Sequence, residues 1–303
     1  MPLGLDYGLI AALCWGSTDV FATIGSRRLG SLSVAAIAQG VSFLAAIVIA
    51  IVLGAGLPAD PVMLALSLFF GVVAAGAYLS FFTALRIGPL AVVSPVVAAY
   101  GGLTVLGSVL IRGESLTSLQ ALGAVLATAG VVLTGVVFDG GWRGTRIVGK
   151  GVVFSLIAML LFTILTVGLA TPIRAEGWLP VVLASRLANA ATIWIALGAV
   201  TLLRPSGGGL LVAGSTGGPD HGAATRGRAV AAAALAGLLD VIGVVAFAIG
   251  LEVAPTWIVG LASSFGPVVA VIVAVALWGE RLRPSQWVGL AGIALGLVAV
   301  ALP

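Results

Sequence analysis

Long apolar stretches, separated by short polar connections, follow one another along the whole chain. Each is about 20 residues long, which is the length a helix needs to cross a hydrocarbon layer about 30 Å thick. Their polarity does not alternate, as it would in barrel strands. The pattern predicts ten helices, at 7–25, 33–53, 61–85, 90–111, 119–138, 150–172, 180–203, 229–250, 256–278 and 285–302.

Composition supports a membrane protein with all-α structure. Hydrophobic residues make up 61% of the chain and charged residues 8%, against about 25% charged in an ordinary soluble domain. The net charge of +4 does not indicate nucleic acid as a partner, because the basic residues are scattered between the apolar stretches without forming a basic run. We expect membrane lipid around the protein instead.

The basic residues predict an orientation. Eleven of the 14 Lys and Arg residues lie in odd-numbered connections between the predicted helices, whereas the even connections and both termini hold only Arg112 and Arg174. Positive residues accumulate in cytoplasmic connections, so both termini are expected outside. We expect a multi-pass protein of a prokaryotic plasma membrane.

A short motif occurs twice. Gly-Glu at Glu114, with Gln120 six residues later, returns 166 residues further on as Gly-Glu at Glu280, with Gln286. Such repetition indicates a duplicated unit. We assign these four residues to a structural repeat motif.

The duplicated unit contains five predicted helices. Because five is odd, the second copy must cross the membrane in the opposite sense, so the predicted fold is ten transmembrane helices as two inverted five-helix repeats. The first repeat covers 1–138, a connection covers 139–149, and the second repeat covers 150–303, with a flexible Gly-rich loop at 204–228.

The repeated segments resemble a known family. The sequences Leu-x-x-Gly-Pro-Leu-Ala, Arg-Gly-Glu-Ser-Leu-x-x-x-Gln-x-x-Gly and Trp-Gly-Glu-Arg-Leu-x-Pro-x-Gln-Trp-x-Gly, within 84–135 and 250–301, are similar to EamA-type members of the drug/metabolite transporter superfamily. The resemblance implies ten helices in two inverted halves, and relatives that export amino acids, metabolites or drugs or exchange sugar phosphates. It also implies cytoplasmic termini, opposite to the charge bias.

Two acids lie at membrane depth, Asp19 in the first predicted helix and Asp240 in the eighth. The position 166 residues before Asp240 is Ala74, so this acid has no equivalent in the repeat. An ionised carboxylate near the bilayer centre costs roughly 3 kcal/mol, so such acids face a wet cavity, pair with a cation or titrate. Either could exchange a proton during transport, or form a fixed ion pair.

Arg186 and Asn189 share one face of the seventh predicted helix, three residues apart. A guanidinium suits a carboxylate or phosphate, so Arg186 could bind an anionic substrate group or neutralise one of the aspartates. The alternative is that it snorkels to the membrane surface.

Three aromatic residues with polar tips, Trp15, Tyr78 and Tyr100, interrupt apolar helices. They could line a substrate cavity and hydrogen-bond a ligand, or simply pack between helices. Glu114 and Glu280 each follow a glycine in a connection, where a carboxylate could cap the next helix or pair with a nearby arginine. A gating role at the membrane surface is the alternative.

The function expected from these features is secondary active transport of a small-molecule substrate, such as an amino acid, an organic acid or a drug-like compound. Inverted repeats close a central site alternately from either side, and we expect export, coupled to protons. A channel and a lipid-precursor flippase are alternatives. An intramembrane enzyme is less favoured, because one His and one Cys supply no catalytic or metal-binding cluster, and no cofactor is expected. Homodimerisation is left open.

Overall fold

The computed structural model describes residues 4–88, 90–135, 150–203, 223–269 and 284–302, and every regular element within them is a helix. We number the helices in chain order: α1 Leu5–Leu29, α2 Ser31–Leu53, α3 Pro61–Ile87, α4 Leu90–Ala98, α5 Tyr100–Arg112, α6 Ser118–Gly135, α7 Lys150–Glu176, α8 Trp178–Leu203, α9 Ala223–Val253, α10 Thr256–Ser263 and α11 Pro284–Ala301.

Seven described stretches are long and apolar enough to cross a membrane, including Val93–Arg112, which comprises most of α4 and all of α5. Three shorter apolar helices, Ser118–Leu133, Thr256–Val269 and Trp287–Ala301, coincide with the remaining predicted spans. The prediction of an all-α membrane protein is thereby confirmed. Residues 270–278, predicted to complete the ninth span, lie outside the described residues.

The predicted fourth span is not one continuous helix. A turn at Ala99 separates α4 from α5, four residues beyond Pro95. A proline inside a helix lacks the N–H that an intact helix needs, so a break or kink close to it is expected. The structure places the break one turn later, at the level of Tyr100.

The surface carries large apolar side chains, as expected of helices surrounded by lipid. Ile51 is 74% exposed, Leu110 81% and Leu202 82%. A soluble protein rarely exposes continuous apolar area of this kind. The chain is therefore an integral, multi-pass membrane protein.

Two helix pairs are joined by a single glycine. Gly30 joins α1 to α2 with φ 85°, and Gly177 joins α7 to α8 with φ 84°. This left-handed backbone conformation favours glycine, since other residues would bring Cβ against the backbone. The two connections are 147 residues apart, a spacing different from the 166 of the Gly-Glu motif.

Helices approach closely where glycines face each other. Gly123 of α6 lies against Gly296 of α11, and Gly130 of α6 lies against Gly289. Missing side chains allow the two backbones to pack together, which is the usual way that membrane helices associate. Each of these glycines belongs to the repeated sequence pattern, and their contacts join α6 to α11.

The interior combines apolar packing with polar side chains. One apolar cluster centres on Leu32, Phe82 and Leu85, and a second on Trp257 and Leu261. Buried polar side chains occur on most of the described helices, and those of α1, α2, α3, α4, α8, α9 and α10 include the site described next.

Candidate functional site

Asp240 is at the centre of a buried hydrogen-bond network. Its carboxylate accepts from Arg186 at 2.8 Å, from the Tyr78 hydroxyl at 2.6 Å and from Ser42 at 2.9 Å. The side chain is 0% exposed and that of Arg186 6%. Charge-assisted bonds satisfy the acid and offset part of the cost of burying it.

Gln39 connects the network to a second amide. Its Oε1 accepts from Arg186 at 2.6 Å and from the Asn189 side-chain nitrogen at 2.7 Å. Arg186 can only donate, so the Gln39 side chain must direct its oxygen toward Arg186. The Asn189 side chain bonds the same oxygen, so it must direct its NH₂ group toward Gln39. The Asn189 Oδ1 then has no hydrogen-bond partner in the described part of the chain, although the residue is buried.

Arg186 therefore does not snorkel to the surface. Its guanidinium bonds Asp240 and Gln39, and it lies over the Tyr78 ring, 5.5 Å from the ring centroid. Of the alternatives predicted from the sequence, the one in which Arg186 neutralises an aspartate describes this geometry, and the aspartate is Asp240. Cation–π attraction adds to the ion pair.

Asp19 has a different environment. Its carboxylate accepts a hydrogen bond from Ser94 of α4 at 2.6 Å, and no ion pair within the described residues includes it. The acid is 7% exposed. Asp19 and Asp240 were grouped from sequence as one functional set, but the structure gives them separate partners. Of the two, Asp240 has a compensating cation and Asp19 has none among the residues that the structure describes.

Asp19 and Arg186 line the same cavity, which encloses about 100 Å³ of space accessible to water. Trp15, Tyr78 and Tyr100 also line it, together with Asn189. The three aromatic residues predicted as possible cavity residues therefore do face a cavity. Helices α1, α3, α4, α5, α7, α8, α9 and α10 all contribute to its wall.

Aromatic rings form much of the cavity wall. The Phe162 ring lies 5.4 Å from the Tyr78 ring and 6.1 Å from the Tyr100 ring, and Trp15 contacts Phe247 at 5.2 Å between ring centroids. Tyr100 is held by a 2.7 Å hydrogen bond to Ser263 of α10. These contacts fix the rings and leave a mainly apolar wall with few polar groups.

Sequence reasoning missed four polar residues of this region: Gln39, Ser42, Ser94 and Ser263. A signal for two of them exists in the chain. At the 147-residue spacing of the glycine connections, Gln39 corresponds to Arg186 and Ser42 to Asn189. The single 166-residue spacing concealed that correspondence.

Glu114 lies away from the cavity, in the connection between α5 and α6. Its carboxylate accepts from the backbone N–H groups of Thr256 and Trp257, at 3.1 and 3.2 Å, and thus caps α10. It also pairs with Arg174 at 3.1 Å and Arg112 at 3.5 Å. The predicted alternative of a pair with a nearby arginine describes this geometry. The other alternative, that Glu114 caps the next helix in sequence, is wrong, because the free N–H groups that it receives belong to α10.

Gln120 instead helps to cap the next helix, α6. The Thr117 side chain accepts from the Gln120 backbone N–H at 3.2 Å, and the Gln120 side chain accepts from the Thr117 N–H at 3.0 Å. This reciprocal arrangement is a capping box. Of the other motif residues, Glu280 and the Gln286 side chain lie outside the part of the chain that the structure describes.

Burial on its own would raise the pKa of Glu114, but hydrogen bonds from Thr256, Trp257 and Arg174 lower that pKa below its ordinary value. The carboxylate is therefore ionised at neutral pH. A group with a lowered pKa stabilises the fold above its unfolded-state pKa, and this stabilisation is lost as pH falls through its folded-state pKa.

Glu114→Gln should consequently destabilise the protein at neutral pH by about 1.5–3 kcal/mol, the range for hydrogen bonds to a charged group. The difference from the wild type should shrink in acid, where Glu114 is protonated in both folded and unfolded chains. Detergent-solubilised protein, unfolded at a series of pH values, would measure this. Asp6→Asn, at an exposed acid of α1, is the control, and a difference that grew in acid would contradict the assignment.

Among the described residues, no three His, Cys, Asp or Glu side chains come together as metal ligands. The site instead offers one carboxylate, one neutralised guanidinium and an unpaired amide oxygen within an aromatic cavity. It is suited to binding a small polar molecule with an apolar part.

Comparison with known proteins adds a family and a fold. A model of the EamA-like transporter family matches residues 2–136 and 207–302. A solved crystal structure, 19% identical, matches 98% of this chain and 95% of its own length with a TM-score of 0.75. At that identity the match concerns the fold alone. No curated protein matches the chain.

Proposed function

The chain belongs to the EamA-like transporter family, and from this membership we propose that it moves a small metabolite across the membrane by alternating access, coupled to protons. The observation that carries the proposal is the central cavity. Helices from both predicted halves form its wall, and Asp19 faces it without a cation partner among the described residues. A carrier needs such a site near the middle of its helices.

Reciprocal packing supports the inverted repeat on which alternating access depends. A Cβ added to Gly71 would meet the Ser185 carbonyl oxygen, and one added to Gly237 would meet that of Ala38. Gly237 follows Gly71 by 166 residues, and Ser185 follows Ala38 by 147. The contact of Gly237 with Ala38 is therefore equivalent to the contact of Gly71 with Ser185, with the two halves exchanged. A two-fold axis between the halves produces this relation.

Glycines on α6 and α11 follow the same rule. Gly123 contacts Gly296, and Gly130 contacts Gly289. At the 166-residue spacing, Gly123 is equivalent to Gly289 and Gly130 to Gly296. Exchanging the two halves therefore converts the first contact into the second. This interface is the same after its two sides are exchanged, so it can be kept while the two halves tilt relative to each other. Such tilting favours a carrier that rocks between two states over a pore.

Proton coupling is assigned to Asp19 rather than to Asp240. Asp240 is fully buried against Arg186, and it does not line the cavity. Asp19 lines the cavity and has one hydroxyl partner, so a proton can reach it without breaking an ion pair. An acid that is alternately protonated and ionised inside a membrane is the usual element of a proton relay.

We propose export as the direction, since the family resemblance groups the chain with exporters of metabolites. The orientation with both termini outside follows from the charge bias of the connections.

Asp19→Asn should abolish transport driven by a proton gradient, whereas exchange of substrate for substrate, which moves no net proton, should persist at saturating substrate concentration. The amide keeps the size of the side chain but cannot release a proton. Liposomes containing the purified protein would be screened with amino acids, organic acids and cationic dyes for saturable counterflow, with and without a pH gradient. Asp6→Asn is the matched control. Gradient-driven accumulation that survived in Asp19→Asn would refute the assignment, and flux without saturation would indicate a channel.

A further inference from the structure

Acidic side chains outnumber basic ones in and directly behind the cavity wall, among the described residues. Arg186 and Asp19 are the charged side chains that line it within the described residues. Arg186 is neutralised by Asp240 at 2.8 Å, whereas within the described part of the chain the Asp19 carboxylate receives the Ser94 hydroxyl and no cation. With Asp19 ionised, the cavity and its immediate wall carry one net negative charge.

An organic anion does not suit this arrangement. The Arg186 guanidinium, which would bind a carboxylate or phosphate, already bonds Asp240, Gln39 and the Tyr78 hydroxyl. An anion would have to compete with Asp240 for it, in a wall that already holds excess negative charge. Leaving Asp240 without a partner would also be costly.

The unused hydrogen-bond acceptors of the cavity also disfavour an anionic ligand. Asn189 Oδ1 is a buried acceptor that has no partner among the described residues, and its identity as oxygen is fixed by the bond from the Asn189 nitrogen to Gln39. Asp19 is a second acceptor in the same cavity. Two acceptors with unused capacity favour a ligand that donates hydrogen bonds, and an ammonium group donates up to three.

The aromatic wall completes the recognition of a cation. The rings that line the cavity are Trp15, Tyr78, Phe81, Phe82, Tyr100, Phe162 and Phe247. The faces of such rings attract a positive charge, and the attraction is stronger where water is excluded. The same rings offer apolar area for the rest of the ligand.

We propose that the cargo of this cavity is a monocationic amine with an apolar body, whose ammonium group binds Asp19. This inference rests on the proposed transport function and names its substrate class. One carboxylate cannot hold a proton and an ammonium ion together, so binding of the amine displaces the proton of Asp19. Efflux of the amine is thereby exchanged for entry of a proton.

The titratable and charged groups around Asp19 are few. From the helices that line the cavity they are Tyr78 of α3, Tyr100 of α5 and Arg186 of α8, with Asp240 of α9 behind Arg186. Tyrosine and arginine keep one protonation state around neutral pH, and Asp240 is fully buried in an ion pair with Arg186. Asp19 is thus the group whose protonation competes with the amine.

Isothermal titration calorimetry of the purified, detergent-solubilised protein would test the inference with three benzyl compounds of similar size. Benzylammonium is the cation, benzyl alcohol is neutral and benzoate is the anion. We expect benzylammonium to bind at least tenfold more tightly than the other two. Its affinity should fall in acid, and titrations in buffers of different ionisation enthalpy should show release of up to one proton for each amine bound.

Variants assign the effect to Asp19. Asp19→Asn should weaken benzylammonium binding at least tenfold and abolish the linked proton release, whereas Asp19→Glu should retain both and Asp6→Asn should bind like the wild type. Thermal unfolding of each variant would verify that it is folded. Equal or tighter binding of benzoate or benzyl alcohol, no binding of benzylammonium, or unchanged binding by Asp19→Asn would overturn the inference. Saturable counterflow of another solute would then leave transport intact and reject only the amine as cargo.

Discussion

Asp240→Asn should destabilise the protein by about 3–5 kcal/mol, the range seen when one partner of a buried ion pair is removed. Asparagine has nearly the shape of aspartate but no charge, so the Arg186 guanidinium would stay buried at 6% exposure without a counter-ion. The Tyr78 and Ser42 hydroxyls would lose a charged acceptor as well. Unfolding of the purified protein in mixed micelles, followed by circular dichroism, would measure the loss.

A double replacement distinguishes the destabilisation caused by an uncompensated charge from the destabilisation caused by lost packing. Arg186→Met combined with Asp240→Leu removes both charges and keeps apolar volume, a change that is often neutral for buried pairs. Here it should recover only part of the stability, because Gln39 would lose its bond from Arg186. Asp6→Asn should change stability by less than about 0.5 kcal/mol, as expected for an exposed site. Equal losses in the single and double variants would contradict the charge explanation.

The helices were predictable from the sequence because membrane spans are long and uniformly apolar. The structure confirms the helical class, although α1 and α9 extend beyond their predicted limits and the fourth span breaks at Ala99. Such boundaries depend on contacts between helices as well as on hydropathy. The partner of Glu114 illustrates this: the free N–H groups of α10 lie 142 residues away in the chain, and local sequence cannot show which helix end will face the acid.

The candidate site was predicted in part. The cost of burying charge identified Asp19, Arg186 and Asp240, since each stands alone in an apolar span. Which acid pairs with Arg186 depends on how α8 and α9 pack, and that choice separates the structural Asp240 from the cavity-lining Asp19.

Polar residues that pair across the halves were harder to find. Gln39 and Arg186 bond each other and are equivalent at the 147-residue spacing, as are Ser42 and Asn189. The spacing rises to 166 after α8, so in the proposed repeat the second copy has 19 additional residues between its second and third helices. One uniform spacing therefore aligns the later helices of the halves and misaligns the earlier ones. The 147-residue spacing makes Gln39 and Arg186 equivalent in the sequence, but their contact depends on how α2 packs against α8.

Gly237 of α9 lies where that helix touches α2, one turn before Asp240. A Cβ added there would be 2.3 Å from the Ala38 carbonyl oxygen and 3.0 Å from its Cα. These are backbone atoms, so no side-chain rotation can relieve the overlap, and the two helices must separate. Separation would move Asp240 away from Ser42, whose hydrogen bond to the acid spans the same interface.

Gly237→Ala is therefore expected to destabilise the protein by about 3 kcal/mol or more, at or above the upper end of the range for overpacked sites. Gly71→Ala should lose a similar amount, because its Cβ would lie 2.3 Å from the Ser185 carbonyl oxygen, the equivalent contact in the other half. Gly227→Ala, in the same helix as Gly237 but with no atom within 4 Å of its added Cβ, should stabilise the helix by about 0.5–1 kcal/mol. Unfolding in mixed micelles would compare all three. A large loss at Gly237 with none at Gly71 would show that the two contacts are not equivalent, and it would remove the packing support for the inverted repeat.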